Sequence, residues 1–229
     1  TQGSDPLPPL RIRSFKTVTI AADRLSNPLV VHAAHIILSR SMQVEKELCL
    51  WTIDLSQEEG DPSSPQTILK GSGTVTAKSL QGNGTLTLVS SQFKNANLVH
   101  LNTLKLSTHL RNTKEGNLCA DELLSASGSV RNDGVFRSKV NIVEDGGVIQ
   151  HTSTAQVFAG LVHQVTANRY ENSGQSHVGV LSQIHAANIN LGSGYKFLGQ
   201  CFVAQATSGF INHHSSRIHG RYYIELANQ

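Results

Sequence analysis

Apolar, small and amide side chains recur about every twenty residues between positions 97 and 216. One set of positions holds large apolar residues: Leu110, Val130, Tyr170 and Phe210, with Ile149 and Ile189 one residue out of step. A second set holds mainly small residues: Ala126, Gly146, Thr166, Ala186 and Ala206. A third set holds asparagine, two residues after the large apolar set: Asn112, Asn132, Asn172 and Asn212. A repeat at a fixed period indicates a solenoid.

The length of the repeat and its composition predict strands rather than helices. Helical repeats generally need a period above about thirty residues, and this window is rich in Ser, Thr, Val, Asn and Gly. We therefore predict an all-β, single-stranded parallel β-helix with coils of about 20 residues. In such a stack the four asparagines form a structural ladder, because equivalent amides lie about 4.8 Å apart on adjacent strands.

The rest of the chain is less regular and divides into three predicted parts. Residues 1–9 carry three of the six prolines and are predicted to form an extended arm. Residues 10–70 are predicted to form N-terminal β coils or a cap, with an excursion at 40–66, and residues 71–229 the β-solenoid. Because protruding loops often carry the function of a solenoid, Trp51, Asp54, Glu58 and Glu59 of the excursion are candidates for an interaction surface.

Composition and charge exclude several classes of function. Charged residues make up only 15% of the 229 residues, and the formal net charge of +3 comes from scattered Lys and Arg. Nucleic-acid binding needs clustered basic groups, so we expect no nucleic-acid partner. No stretch approaches 18 uninterrupted apolar residues, so we expect no membrane span. Three widely spaced cysteines do not form a disulfide framework.

The spacing gives no sign of catalytic or metal chemistry. Alignment at twenty residues places Asp121 over Asn141 and Glu144 over Gln164, so no column of carboxylates forms for acid–base catalysis or metal binding. The eleven histidines show no convergent zinc spacing. We therefore predict no enzyme activity, no metal and no cofactor.

A charged column is predicted next to the asparagines. Arg111, Arg131, His151 and Glu171 follow one another at about twenty residues, and we expect them to face solvent. Arg111 and Arg131 are the second part of the candidate interaction surface.

Two segments carry a resemblance to a known family. They read ELLSASGSVRNDGVFRSKVNIVEDGGVIQ and ANRYENSGQSHVGVLSQIHAANINLGSG, with the turns RNDG and ENSG. This text, across residues 97–216, resembles the repeats of filamentous haemagglutinins, the exoproteins of bacterial two-partner secretion systems. The resemblance implies a rigid rod, secreted or at the cell surface, that acts as a stalk, an adhesin or a toxin-delivery scaffold. Its partner would be a receptor or glycan on a host or bacterial surface.

Two alternatives stay open. The bactofilins also build short β-solenoids, and a chain of that kind would be cytoplasmic and would assemble with like chains end to end. A carbohydrate-binding or carbohydrate-cleaving β-helix is the other alternative, and it would use the acidic residues of the excursion.

Overall fold

A computed structural model describes residues 8–52, 73–213 and 216–228. These residues form a parallel β-solenoid of about 10 turns, with coils of about 19 residues and no helix, extending over residues 10–227. The fold class predicted from the repeat is therefore confirmed.

The coils contain nineteen strands, and every pairing among the described residues is parallel. They are β1 (Leu10–Ile20), β2 (Arg24–Leu25), β3 (Leu29–Leu38), β4 (Met42–Val44), β5 (Glu47–Thr52), β6 (Thr74–Ala77), β7 (Leu80–Gln81), β8 (Thr85–Asn95), β9 (Leu98–Asn112), β10 (Asn117–Ser127), β11 (Val130–Asn132), β12 (Val135–Ser138), β13 (Asn141–His151), β14 (Gln156–Ala159), β15 (Val162–Asn172), β16 (Gln175–Leu191), β17 (Lys196–Ala206), β18 (Ile211–Asn212) and β19 (Arg217–Asn228).

Each coil contributes strands to three faces of the solenoid, and the longer strands bend round a corner. Face 1 contains β12 and β14. Face 2 contains the first half of β13 and of β15, and face 3 contains the second half of each. Side chains alternate between the interior and the surface along each strand, so each face has inward columns that run along the stack.

The inward column of face 3 tests the apolar spacing directly. Its members, from β1 to β18, are Val18, Ile36, Val75, Phe93, Leu110, Val130, Ile149, Tyr170, Ile189 and Ile211. The interpretation of Ile149 and Ile189 as one-residue slips is therefore confirmed. Phe210 was wrongly placed: its neighbour Ile211 takes the column position, and Phe210 is 61% exposed.

The slips have a simple cause, which is that the coils differ in length. Leu110 follows Phe93 by 17 residues, whereas Ile211 follows Ile189 by 22. The extra residues are taken up at corners, so the strands stay in register. An alignment of the chain at a fixed period of twenty residues therefore drifts in and out of register with the actual coils.

Small residues line the corner between faces 2 and 3, as the set of small residues in the sequence predicts. Their register differs, however, from a fixed spacing of twenty residues. Gly146 pairs with Ala167, Ala167 with Ala186, and Ala186 with Ala206. Thr166 instead pairs with Asp145 and Ala126 with Glu144, so both lie outside this column. The backbones of neighbouring coils approach closely here, because a Cβ added at Gly146 would lie 1.7 Å from the carbonyl oxygen of Gly128.

We expect Gly146→Ala to lower the free energy of unfolding by at least about 2 kcal/mol, since backbone rather than a flexible side chain blocks the new methyl group. Gly147→Ala is the matched control, because a Cβ at Gly147 meets nothing within 4 Å, and its effect should stay within about 0.5 kcal/mol. Urea denaturation followed by circular dichroism measures both. Equal stability of the two variants would show that the corner is not closely packed.

The N-terminal part belongs to the same stack. The strands β1 and β3 pair in the register of the later coils, so coils rather than a separate cap occupy the described residues from Leu10 onward. The chain leaves face 2 after Thr52, which pairs with Ala33, and it re-enters beside His35, whose Nδ1 accepts a hydrogen bond from the Thr74 amide at 3.3 Å. The predicted excursion is thus an insertion at a corner, although its first residues are regular strand. Residues 1–7 of the predicted arm and 53–66 of the predicted excursion, together with residues 67–72, lie outside the described residues.

Candidate functional site

Polar side chains enter the core of the solenoid in one column of face 3. From β8 to β16 its members are Asn95, Asn112, Asn132, His151, Asn172 and Leu191. The polar members are at most 1% exposed. Their partners must therefore come from within the protein.

Three of these asparagines form a continuous chain of hydrogen bonds, here called the amide ladder (Asn95, Asn112 and Asn132). Nδ2 of Asn95 donates to Oδ1 of Asn112 at 2.8 Å, and Nδ2 of Asn112 donates to Oδ1 of Asn132 at 2.8 Å. Nδ2 of Asn132 then lies 3.3 Å from Nδ1 of His151. The N–H donors of the amide ladder all point towards His151.

Backbone groups fix this direction at each level. The backbone carbonyl of Asn97 accepts from Nδ2 of Asn95, and that of Gly116 accepts from Nδ2 of Asn112, both at 3.0 Å. The amide N–H of Gly134 donates to Oδ1 of Asn132 at 3.1 Å. Turning any of the three amides over would place donor against donor or acceptor against acceptor, so the sequence encodes the polarity of the amide ladder.

The other two predicted ladder residues do not take part in this chain of hydrogen bonds. Asn172 occupies the same column, but its Nδ2 donates to the hydroxyl of Tyr170 at 2.8 Å rather than to His151. Asn212 pairs with Asn190 and is exposed, so it does not belong to the ladder. The reason is again coil length, since the 22-residue step between Ile189 and Ile211 shifts Asn212 out of phase.

A buried carboxylate lies next to the end of the amide ladder and joins two histidines. Oε2 of Glu144 accepts from Nε2 of His151 at 3.0 Å and from Nε2 of His163 at 2.9 Å. We call these three residues the carboxylate–histidine cluster. Glu144 and His163 are 0% exposed and His151 is 1% exposed.

The elements around the cluster explain its position. Glu144 and His151 are the inward residues at opposite ends of the corner in β13, and His163 is an inward residue of β15 in the next coil. The aromatic rings of Phe136 and Tyr170 pack edge-on against His151, at centroid distances of 5.9 and 5.8 Å. The cluster therefore connects two faces of one coil with the neighbouring coil.

The electrostatics favour an ionised Glu144. Burial by itself raises the pKa of this carboxyl group, but the positive charge of the histidine pair and the hydrogen bonds that both imidazoles donate outweigh it and hold the pKa at about 2. Tyr170 stays a neutral phenol, because burial, with smaller contributions from Tyr195 and Glu144, raises its pKa well above the usual value. Two atoms of the cluster, Oε1 of Glu144 and Nδ1 of His163, have no hydrogen-bond partner.

The cluster is the one group among the described residues whose ligand atoms lie close enough to hold a metal ion, all within 4.8 Å of one another. A metal on Nε2 would require each neutral imidazole to carry its proton on Nδ1. Nδ1 of His151 faces a donor, the Asn132 amide, so a proton there would meet no acceptor. Metal-bound histidines almost always have such an acceptor, so these donors fit a hydrogen-bonded cluster better than a metal centre.

Sequence reasoning missed the cluster because it used a fixed spacing. A spacing of twenty aligned His151 with Arg131, as an outward residue, and Glu144 with Gln164. The structure instead pairs Arg131 with Gln150 and Glu144 with Val165. One signal was present: His151 follows Ile149 by two residues, as Asn112 follows Leu110. Applying the slip at Ile149 to the asparagine set as well would have placed His151 in the asparagine column.

The three candidate interaction residues that the structure describes, Trp51, Arg111 and Arg131, lie on two different faces. Trp51 lies on face 2, half-buried and stacked on His32 at a centroid distance of 5.1 Å. Arg111 and Arg131 lie on face 3, where they continue an outward column from Lys94. Asp54, Glu58 and Glu59 lie outside the described residues.

The three cysteines are free and half-buried. Burial, with a smaller contribution from Glu47, raises the pKa of the Cys49 thiol to about 11, and burial also raises the pKa of Cys119. A nucleophilic cysteine needs a lowered pKa, so neither of these two thiols has the environment of a catalytic nucleophile.

Comparisons of the chain with protein-family models, with curated proteins and with solved structures find no match. Within the described part of the chain, no helix is long and apolar enough to cross a membrane.

Proposed function

We propose that this chain is a non-enzymatic solenoid segment of a secreted or cell-surface bacterial protein, serving as a stalk, an adhesive rod or a toxin-delivery scaffold. The burial of the carboxylate–histidine cluster carries the non-enzymatic part of the proposal. No substrate reaches a carboxylate and two imidazoles that are at most 1% exposed, and a general acid or base must contact the group whose proton it moves. The resemblance of residues 97–216 to filamentous haemagglutinin repeats supports the bacterial surface role.

The adhesive part of the proposal rests on the outward column of Lys94, Arg111 and Arg131, here called the basic column. Its members pair directly on adjacent strands. The strands that carry these charges are therefore about 4.8 Å apart along the stack. Arg131 forms an ion pair with Asp133, with 3.3 Å between Nε of Arg131 and Oδ2 of Asp133. Lys94 and Arg111 form no ion pair with the acidic residues of the described chain. A groove of about 430 Å³ runs beside the column and is lined in part by His109 and Gln150.

A surface of this kind suits an acidic glycan. Successive cations on a rigid strand ladder match a polymer that carries an anion on each repeat unit, and the charges need no rearrangement to bind it. We therefore propose an acidic surface glycan as the partner of this face.

We expect the variant Lys94→Ala, Arg111→Ala, Arg131→Ala to bind immobilised dextran sulfate roughly tenfold more weakly than the wild type, since three rim charges contribute a few tenths to 1 kcal/mol each. The control is Lys46→Ala, Lys78→Ala, Lys196→Ala, which removes the same charge from exposed positions away from the column. Surface plasmon resonance at two salt concentrations measures both. Equal losses would mean that net charge rather than the basic column binds the polymer.

A second candidate, end-to-end assembly of like chains in the cytoplasm, is favoured by the apolar side chains of β19. Ile224 and Leu226 of β19 continue the inward columns of Phe202 and Ala204, yet they are 44% and 39% exposed. Exposed apolar positions on an edge coil are a template for pairing. Analytical ultracentrifugation distinguishes the two candidates. Concentration-dependent polymers that disappear in Leu226→Lys support assembly, and a strictly monomeric chain removes it.

A further inference from the structure

The carboxylate–histidine cluster stands out because its neighbours in the stack are mostly apolar. Glu144 lies between Ala126 and Val165 in one inward column. His163 lies between Ile142 and Ser182 in another. Three ionisable groups thus occupy core positions that neighbouring coils fill without any charge, which costs stability unless the charges balance.

The amide ladder determines where the proton of His151 lies. Because Nδ2 of Asn132 is a donor fixed by Gly134 and Asn112, Nδ1 of His151 must accept and carries no proton. A neutral imidazole with a bare Nδ1 has its proton on Nε2, and Nε2 points at Oε2 of Glu144. The amide ladder therefore holds His151 as the neutral Nε2–H tautomer, through hydrogen bonds that begin at Asn95, three coils away.

Charge balance then assigns the remaining proton. Glu144 is an ionised carboxylate without contact to solvent, and an isolated charge in such a place is very costly. His151 cannot supply the positive charge, because a proton on its Nδ1 would meet the N–H of Asn132. His163 can, since Nε2 already donates to Glu144 and its Nδ1 is not blocked by a donor.

The titratable groups around the cluster come from two strands and one loop. On β13 they are Glu144 and His151, and on β15 they are His163 and the phenol of Tyr170. Tyr195, in the loop before β17, acts on Tyr170. The inward residues that face the cluster from β10, β11, β12, β14 and β16 are not titratable: Leu124, Ala126, Asn132, Phe136, Val157, Ser182 and Ile184.

We propose that the carboxylate–histidine cluster is a pH-sensitive fastening between two coils. In this fastening His163 is an imidazolium and His151 is a neutral Nε2–H imidazole. Gain or loss of one proton opens the solenoid at β13 and β15. Loss of the proton from His163 leaves a buried carboxylate without a counter-charge. Gain of a proton by Glu144 leaves a buried imidazolium without one. The device is independent of the proposed adhesive role, because no atom of the cluster reaches the surface.

Nitrogen-15 NMR of histidine-labelled wild-type protein tests the two assigned states directly. At neutral pH we expect one buried histidine with two protonated ring nitrogens, His163, and one with only Nε2 protonated, His151, each assigned by its substitution with glutamine. A neutral His163 or a protonated Nδ1 on His151 would overturn the proposal. So would movement of both resonances on addition of one equivalent of Zn²⁺, because it would show that the cluster binds metal.

Hydrogen exchange tests the opening. After correction for the intrinsic exchange rate, protection of the β13 and β15 amides should fall by up to tenfold per pH unit once the cluster gains or loses its proton, since one linked proton gives that slope. Amides of β3, far along the stack, should show no such fall. A uniform response along the solenoid would mean global unfolding rather than a local opening, and it would contradict the proposal.

Glu144→Gln supplies the matched variant, with Glu122→Gln on the exposed surface of β10 as its control. Without the carboxylate charge, His163 should become neutral and the local pH dependence should disappear, while the control keeps both. An imidazolium at His163 in Glu144→Gln would show that the carboxylate is not its counter-charge. If Glu144→Gln does not fold, the wild-type NMR and exchange measurements still decide.

Discussion

Glu144→Ala is expected to lower the free energy of unfolding by about 3 to 5 kcal/mol, which is a large part of the stability of a typical domain. The substitution removes the shared acceptor of two buried imidazoles, since both Nε2 atoms donate to Oε2 of Glu144. It also leaves a cavity in a core column. Urea denaturation followed by circular dichroism measures the change.

The control for this prediction is Glu122→Ala, which removes an exposed carboxylate from β10. Its effect should stay within about 0.5 kcal/mol, as for most surface substitutions. A loss below about 1 kcal/mol for Glu144→Ala would mean that the two histidines find other partners. The cluster would then not fasten the coils.

Protonation of Glu144 is expected to remove about 3 kcal/mol of stability between pH 4.5 and pH 2. The pKa of Glu144 is lowered in the folded state from 4.5 to about 2. A depressed carboxyl pKa contributes stability that is fully present above pH 4.5 and is lost as the pH falls towards 2, at about 1.4 kcal/mol per unit. Denaturation series across this range measure the loss.

The matched variant for the acid prediction is Glu144→Val, His151→Asn, His163→Ile. Each replacement copies the chemistry of its own column, since Glu144 is followed by Val165, His163 is preceded by Ile142, and His151 lies between Asn132 and Asn172. Replacing buried charges by well-packed apolar groups is often neutral or stabilising by about 1 to 4 kcal/mol. The variant should therefore match or exceed the wild type at neutral pH and lose less in acid. An identical acid response would assign the sensitivity to other carboxylates.

The repeat in the sequence predicted the architecture well and the individual columns less well. Alternation and period are local properties, so they identify the coil and even the slips at Ile149 and Ile189. Errors in assigning residues to columns accumulate along the chain, because each coil that is longer or shorter than twenty residues shifts every later assignment. Asn212 and Phe210 were misplaced for this reason, whereas Asn112 and Asn132, one 20-residue coil apart, form the observed hydrogen bond.

The cluster could not be predicted by the same route. Glu144, His151 and His163 share no period, since two belong to one coil and the third to the next. Their meeting depends on how the chain turns at the Gly146 corner, which brings the inward sides of two faces together. The local sequence also suggests a surface position rather than a buried one, because Glu144 stands between Val143 and a second carboxylate, Asp145.

The insertion between Thr52 and Gly73 shows which features of this chain are constrained and which are free. The strands on either side keep their register with β3, although twenty residues intervene at a place where β3 itself simply bends. Stacking therefore constrains the strands and leaves the length of a corner almost unconstrained. New segments can accumulate at corners, one coil at a time, without any change to the core that supports them.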